Sequence, residues 1–252
     1  MHPVLVDLGG FELRSYGALG AIGFLLAALL AIRWGERRGW SRDAVTDVIF
    51  WSSIAGIAGA RLVFLLQNPG SFSPWALFDL RSGGMVFYGA PLLGLPVLLA
   101  AARRHDLPLT GVLDGAGRFA PLAHAISRVG CFAAGCCYGA PTDLPWAVTY
   151  ADPLSAAPLG VAVHPTQLYE AAGLLAIAGL TAAVEARQRF AGQVGLTWLG
   201  AYAALRFADE LTRGDADRGF IGPLSTSQAL SLGIAAVVGL AWVALARRRE
   251  GP

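Results

Sequence analysis

Arg128, Cys131, Cys136 and Cys137 crowd into one stretch, Ser127-Arg128-Val129-Gly130-Cys131-Phe132-Ala133-Ala134-Gly135-Cys136-Cys137-Tyr138-Gly139, which holds every cysteine of the chain. A guanidinium presents a planar fork of donors that matches a phosphate bidentately. A thiolate is a soft nucleophile and metal ligand. A fixed cation beside soft nucleophiles, at the end of a long apolar run, points to chemistry on an anionic, lipid-like molecule. Three readings of the thiols stand side by side. They pack as small apolar groups; or Cys131 pairs with Cys136 or Cys137 in an oxidising compartment, leaving one thiol over; or Cys136 or Cys137 is a nucleophile or lipid acceptor. For a metal site there is neither a second C-x-x-C nor an adjacent His.

Four arginines, Arg61, Arg118, Arg128 and Arg206, lie inside apolar stretches or at their outer edge. A charge at the centre of a spanning helix costs about 2.5–3.5 kcal/mol; near an end the side chain snorkels and the cost falls. Pairing with Asp114, Glu170, Asp209 or Glu210 would be a purely structural use. Several guanidinium groups at one membrane level suit a phospholipid headgroup, with Arg128 and Arg206 the strongest candidates. His124 shares a helix face with Arg128 at i,i+4 and is either a hydrogen-bonded structural residue or a base. The run His164-Pro165-Thr166-Gln167-Leu168-Tyr169-Glu170 opens a helix, with Pro165 expected at its first position, and an outward-facing helix N-terminus favours an anion. It reads equally as a cap in which Glu170 pairs an arginine. Tyr202, Arg206, Glu210 and Arg213 form a polar stripe on the sixth helix. That stripe is either an interfacial ion pair or a device in which Glu210 orients Arg206.

The elements that must carry these groups are apolar. Of 252 residues, 55% are hydrophobic and 14% charged, against about 25% charged in a soluble domain. Seven runs approach the roughly 20 residues that a spanning helix needs, near 15–33, 44–66, 84–102, 110–127, 165–184, 193–207 and 224–246. Arg33, Arg37, Arg38, Arg42, Arg103, Arg104, Arg187, Arg189, Arg247, Arg248 and Arg249 fall on one side of such a bundle. The positive-inside rule puts that side in the cytoplasm. The expected fold is an all-α polytopic membrane protein with seven transmembrane helices, the N-terminus outside and the C-terminus cytoplasmic. It forms a single domain over 1–252, with a small external cap near 129–163. A net charge of +2 provides no global field for nucleic acid. Met1 to Asp7 lacks a basic n-region and a small-residue cleavage site, so no removed signal peptide is expected, and no lipobox precedes a cysteine.

With these motifs in order, the chain resembles the prolipoprotein diacylglyceryl transferase family over nearly its whole length. Ser15-Tyr16-Gly17, Gly59-Ala60-Arg61, Gly83-Gly84-Met85-Val86-Phe87, Arg128-Val129-Gly130, His164 to Glu170, the Tyr202–Arg213 stripe and Ser227-Gln228 carry the resemblance. It implies a multi-pass enzyme of the bacterial inner membrane with its site on the periplasmic side, expected as a monomer. It would move a diacylglyceryl group from phosphatidylglycerol to the lipobox cysteine of a preprolipoprotein signal peptide and release glycerol-1-phosphate. No cofactor or metal is implied. Arg128 and Arg206 would hold the phosphate, Glu210 would orient Arg206, and Tyr16 would line the lipid site. Arg61, Gly139, His164, Gln167, Tyr169, Glu170, Tyr202 and Arg213 complete the implied substrate site.

Three positions depart from the family pattern. Tyr88, with an ordinary pKa of about 10, stands where the family has a histidine often proposed as base. Cys131 replaces an Asn and Cys136 a Glu. Tyr88 and His124 are therefore both candidates for the proton transfer, His124 as the substitute base. The alternatives are a paralogue on the same scaffold, with another acceptor or a cysteine-based lipid chemistry, and a non-enzymatic membrane thiol-redox or metal-binding protein.

Overall fold

The computed structural model describes residues 1–7, 9, 12–71, 73, 75–78, 84–86, 88–215 and 219–247. Gly83, Phe87, Arg248 and Arg249 lie outside these. A short hairpin, β1 (Val4–Asp7) with β2 (Glu12–Arg14), leads into α1 (Ser15–Glu36). Then come α2 (Arg42–Gln67), α3 (Gly89–Arg104) and α4 (Leu109–Ala134). The pair β3 (Val148–Thr149) and β4 (Ala162–Val163) precedes α5 (Thr166–Glu185) and α6 (Gln193–Asp209). A last hairpin, β5 (Phe220–Ile221) with β6 (Leu224–Ser225), opens α7 (Thr226–Arg247).

The seven helices fall on the seven apolar runs, and the chain is a helical membrane protein. Two features refine the expected architecture. Among the described residues, three two-stranded ribbons join the helices. Among the described residues, α1, α2, α5 and α7 are the helices long and apolar enough to cross a membrane by length and composition. The shortfall has a physical cause: α3 and α6 have 16 and 17 residues, and α4 carries Asp114, Arg118 and Arg128.

The chain divides into two compact units. The second unit, Ala31–Val112, is built on α2 and α3. Its small core joins Ala44 and Val48 to Ala102 and Leu107, under Trp40 and Leu98. The first unit, Met1–Leu30 with Leu113–Pro252, carries the remaining helices. Its helices touch backbone to backbone. A Cβ on Gly117 of α4 would lie 2.7 Å from Gly195 Cα of α6, and one on Gly23 of α1 would lie 2.7 Å from the Ala123 carbonyl of α4. Such small-residue contacts drive helix association where lipid removes the hydrophobic incentive. Asp114 is buried at the α4–α6 crossing, where it accepts hydrogen bonds from the backbone N–H of Gly192 and Gly195 and from Gln188. Among the described residues no arginine pairs with it. Arg118 pairs with Glu185 at 3.0 Å instead.

The cap is braided from three distant segments. The Gly139 N–H donates to the His164 carbonyl, Ala140 to Thr212, and Gly214 to Tyr138. Beneath, Tyr150, Ala157 and Val163 form a buried cluster. Gly139 lies where these segments cross: a Cβ there would come within 2.6 Å of the His164 carbonyl and 2.8 Å of the Thr212 carbonyl.

Candidate active site

Helix α4 continues well past Arg128, to Ala134. The irregular cap thus begins at Gly135, later than the expected 129. The continuation follows from small residues: Gly130 sits against the first turn of α1, where a Cβ would meet Tyr16 Cα at 3.1 Å. His124, Arg128 and Cys131 consequently share one helical face.

Glu170, one turn into α5, is the organising charge. Its side chain is 1% exposed and its Oε2 lies 2.8 Å from Arg128 Nε. Tyr202 of α6 donates its hydroxyl to Oε1 at 3.0 Å, and His124 Nε2 lies 3.6 Å from the same oxygen. The His124 and Tyr202 rings meet edge-on at 5.2 Å. A buried carboxylate is tolerable only when its lone pairs are matched in this way.

Arg206 forms a second centre at the end of α6. Its NH2 lies 2.6 Å from Glu210 Oε2 and donates to Ser227 Oγ at 3.0 Å, while NH1 is 3.5 Å from Asp209 Oδ2. Helix α6 ends at Asp209 and a 3-10 turn, Glu210–Thr212, follows. The stripe expected to run through Arg213 on one helix therefore stops short. Arg213 is extended, bridges Gly139 through the backbone, and grips Asp215. Arg128, Arg206 and Arg213 face Glu170, Asp209, Glu210 and Asp215, so the described cluster has no excess positive charge. An anion here would be recognised by directed N–H donors rather than by a net field.

The His164–Glu170 run does mostly architectural work before Glu170. Pro165 caps α5 from just outside, and the helix begins at Thr166. Thr166 donates its hydroxyl to the Cys137 carbonyl at 2.7 Å, and the Gln167 amide donates to the Cys136 carbonyl at 2.6 Å and to the Tyr150 hydroxyl at 3.1 Å. His164 Nδ1 lies 3.3 Å from the Tyr169 hydroxyl, which also accepts from Trp146 Nε1 at 2.7 Å.

These bonds hold a turn of unusual backbone. Gly135 has φ +73° and Cys137 φ +60°, and the second is a left-handed conformation that a Cβ-bearing residue adopts only when neighbours enforce it. The turn folds Cys136 and Cys137 back onto Cys131. The three are free thiols with sulfurs within 4.8 Å of one another, and Arg128 NH1 reaches Cys131 Sγ at 3.8 Å. Hydrogen bonds from the Cys131 and Cys136 thiols, and then the Arg128 and Arg213 cations, push Cys137 well below the usual thiol range. The same thiol contacts push Cys136 up.

Tyr16 stands half-exposed in the first turn of α1. Tyr88 and Arg61 belong to the second unit. Tyr88 precedes α3, and Arg61 is buried on the carbonyls of Ala76 (2.8 Å) and Gly84 (3.0 Å). Asp209, Trp146 and Tyr150 take part in the site and were not singled out from the sequence as site residues. Asp209 had the clearest signal, at i,i+3 from Arg206.

The family model described as "Prolipoprotein diacylglyceryl transferase" matches residues 3–244. Among curated relatives, the phosphatidylglycerol--prolipoprotein diacylglyceryl transferase of Geobacter sulfurreducens is 37% identical over 265 aligned positions, covering 100% of this chain and 98% of the relative. The protein of that name from Solidesulfovibrio magneticus is 36% identical, covering 98% and 94%. The one from Clostridium tetani is 32% identical, covering 92% and 93%.

Proposed function

The chain belongs to the prolipoprotein diacylglyceryl transferase family, and from that premise we propose how its residues divide the reaction. It is a transferase that moves the diacylglyceryl group of phosphatidylglycerol to the lipobox cysteine thiol of a preprolipoprotein and releases glycerol-1-phosphate. The thiol sulfur attacks the glyceryl carbon, the C–S bond forms, and the C–O bond to phosphate breaks. The charge that builds on the leaving phosphate needs preorganised donors.

Arg128 and Arg206 supply those donors. The observation that carries this assignment is that both guanidinium groups are 15% exposed, each aimed by a carboxylate that is 2% exposed or less. Glu170 and Tyr202 fix Arg128; Glu210, Asp209 and Ser227 fix Arg206. His124, one turn before Arg128, takes the proton of the acceptor thiol, whose ordinary pKa of about 8.5 leaves little thiolate at neutral pH. Tyr16 lines the lipid entrance. Gly139, His164, Gln167, Tyr169 and Arg213 act by holding the cap over the site. Arg61 fixes the chain after α2 within the second unit.

In the membrane we place all seven helices across the bilayer, with the N-terminus outside and the site on the periplasmic side of a bacterial inner membrane. The arginine-rich connections support this orientation. The short α3 and α6 and the charged α4 are then shielded by neighbouring helices rather than by lipid. The protein acts as a monomer and a single transferase domain.

The test is direct. Protein in phosphatidylglycerol nanodiscs is given a lipobox peptide, and glycerol-1-phosphate and the thioether-linked peptide are measured together. Arg128→Ala and Arg206→Ala should abolish both products, and His124→Ala should slow both by about 10²–10⁴-fold, the usual span of general-base catalysis. Unchanged transfer in His124→Ala removes that residue as base. Headgroup release with an unmodified peptide, or a lipid adduct on Cys136 or Cys137, would reject the lipobox acceptor.

A further inference from the structure

The three thiols have no part in the reaction as described above, yet the cap is built to bring them together. Cys131 comes from the last turn of α4, while Cys136 and Cys137 return to it around Gly135. Thiols that only fill space do not require a left-handed cysteine backbone clamped by Thr166 and Gln167. All three sulfurs lie within 4.8 Å of one another. Three thiolates around one ion at about 2.3 Å each would stand about 3.8–4.0 Å apart, so rotamer adjustments of less than an ångström close the set.

The donors are sulfur alone, which selects a soft d10 ion over magnesium or calcium. Among the described residues, the converging group contains these three ligands and no His or carboxylate. Three protein ligands and one open position describe a catalytic zinc site rather than a closed structural one. Arg128, 3.8 Å from Cys131 Sγ, offsets part of the thiolate charge.

We propose that Cys131, Cys136 and Cys137 bind a zinc-class cation whose open position takes the acceptor thiol, beside the phosphate held by Arg128. This rests on the transferase reading. A thiol that coordinates such an ion is deprotonated outright, and the transfer needs its acceptor as the thiolate. The acceptor S–H proton passes to His124 as the sulfur binds. The metal-bound sulfur then attacks the glyceryl carbon, and the C–O electron pair leaves on glycerol-1-phosphate, which takes up the proton. The thioether product, now neutral and a weaker ligand, leaves the ion. No oxidant or reductant enters.

The experiment uses the intact protein, stripped with a chelator under anaerobic, reducing conditions and titrated with Co2+. A sulfur-to-cobalt charge-transfer band and the ligand-field bands of a four-coordinate ion should saturate at one ion per chain and be displaced by Zn2+. Addition of the lipobox peptide should shift the ligand-field bands; a peptide with Ser in place of its Cys should not. Cys136→Ser and Cys137→Ser should weaken binding by at least about 100-fold, the upper end of what the loss of a mere outer-shell partner costs. Stripped protein should lose transfer and regain it with Zn2+. The wild-type titration needs no variant, so a variant that fails to fold does not obscure the answer. The absence of the cobalt–thiolate band overturns the site, as does a disulfide among the three in active protein. Bands that ignore the peptide overturn the open position. Undiminished transfer by metal-free protein rejects the site and leaves the transferase standing. One-to-one binding with no transfer under any metal condition rejects the transferase and leaves the ion site.

Discussion

Replacing Glu170 by Gln removes one negative charge and almost no volume, so it isolates the electrostatics of the Arg128 centre. The Glu170 and Arg128 side chains are 1% and 15% exposed and 2.8 Å apart. Removing one member of a buried pair leaves the other uncompensated, at a cost of about 3–5 kcal/mol. Gln can still accept from Tyr202, which argues for the lower figure. At about 2–4 °C per kcal/mol for a chain of this size, a loss of about 3 kcal/mol lowers Tm by about 6–12 °C. Arg128→Gln should destabilise comparably, because it strands the carboxylate. The double variant buries no unpaired charge and should be no less stable than either single one. Thermal unfolding in phosphatidylglycerol nanodiscs, followed by tryptophan fluorescence, closes this cycle. If the two single effects add to within about 0.5 kcal/mol, the pair is not what holds the centre together. Transfer should be absent from the double variant even with its stability restored.

Arg206→Lys keeps the charge but not the fork that reaches Glu210, Asp209 and Ser227. It should lower kcat/KM by about 10²–10³-fold, the scale of losing a preorganised transition-state donor, at normal protein levels. An undiminished rate would show that charge alone suffices. Gly139→Ala drives a methyl onto the His164 and Thr212 carbonyls and should destabilise by about 1–3 kcal/mol, read as a lower Tm; an unchanged Tm would mean the braid yields freely. Gln167→Leu removes the donor to the Cys136 carbonyl and Tyr150. It should cost about 1–3 kcal/mol for the unsatisfied groups and speed labelling of Cys136 by a maleimide. Labelling at the wild-type rate would separate the clamp from the thiol cluster.

The helices were legible because each is a sustained apolar run bounded by charge or glycine. Arg128-Val129-Gly130 looked like an ending, since arginine and glycine commonly close a span. Here Gly130 is required by the approach of α1 and does not stop α4. The ribbons were not legible because strands of two to four residues contain too little alternation to register. Arg206 with Glu210 could be found from i,i+4 spacing, whereas Arg128 with Glu170 joins two helices and needed the fold. The meeting of the thiols depends on two left-handed residues, Gly135 and Cys137. The glycine hinted at a turn, but nothing in the pattern announced the cysteine.

The two arginine centres also differ in how they come into being. In the seven-span arrangement proposed above, Arg206 emerges from the ribosome with Asp209 and Glu210 directly behind it, so its charges enter the membrane as one self-neutralised package. Arg128 belongs to α4, and its carboxylate arrives only with α5. Until α5 docks, α4 is a segment with two unmatched cations, Arg118 and Arg128, each of the kind that insertion penalises by about 2.5–3.5 kcal/mol when placed centrally. Of the two site centres, the one at Arg128 therefore passes through a vulnerable interval during biogenesis. Substitutions at Glu170 should deplete the protein during synthesis, through failed insertion and proteolysis, whereas those at Glu210 should yield normal amounts of a defective enzyme.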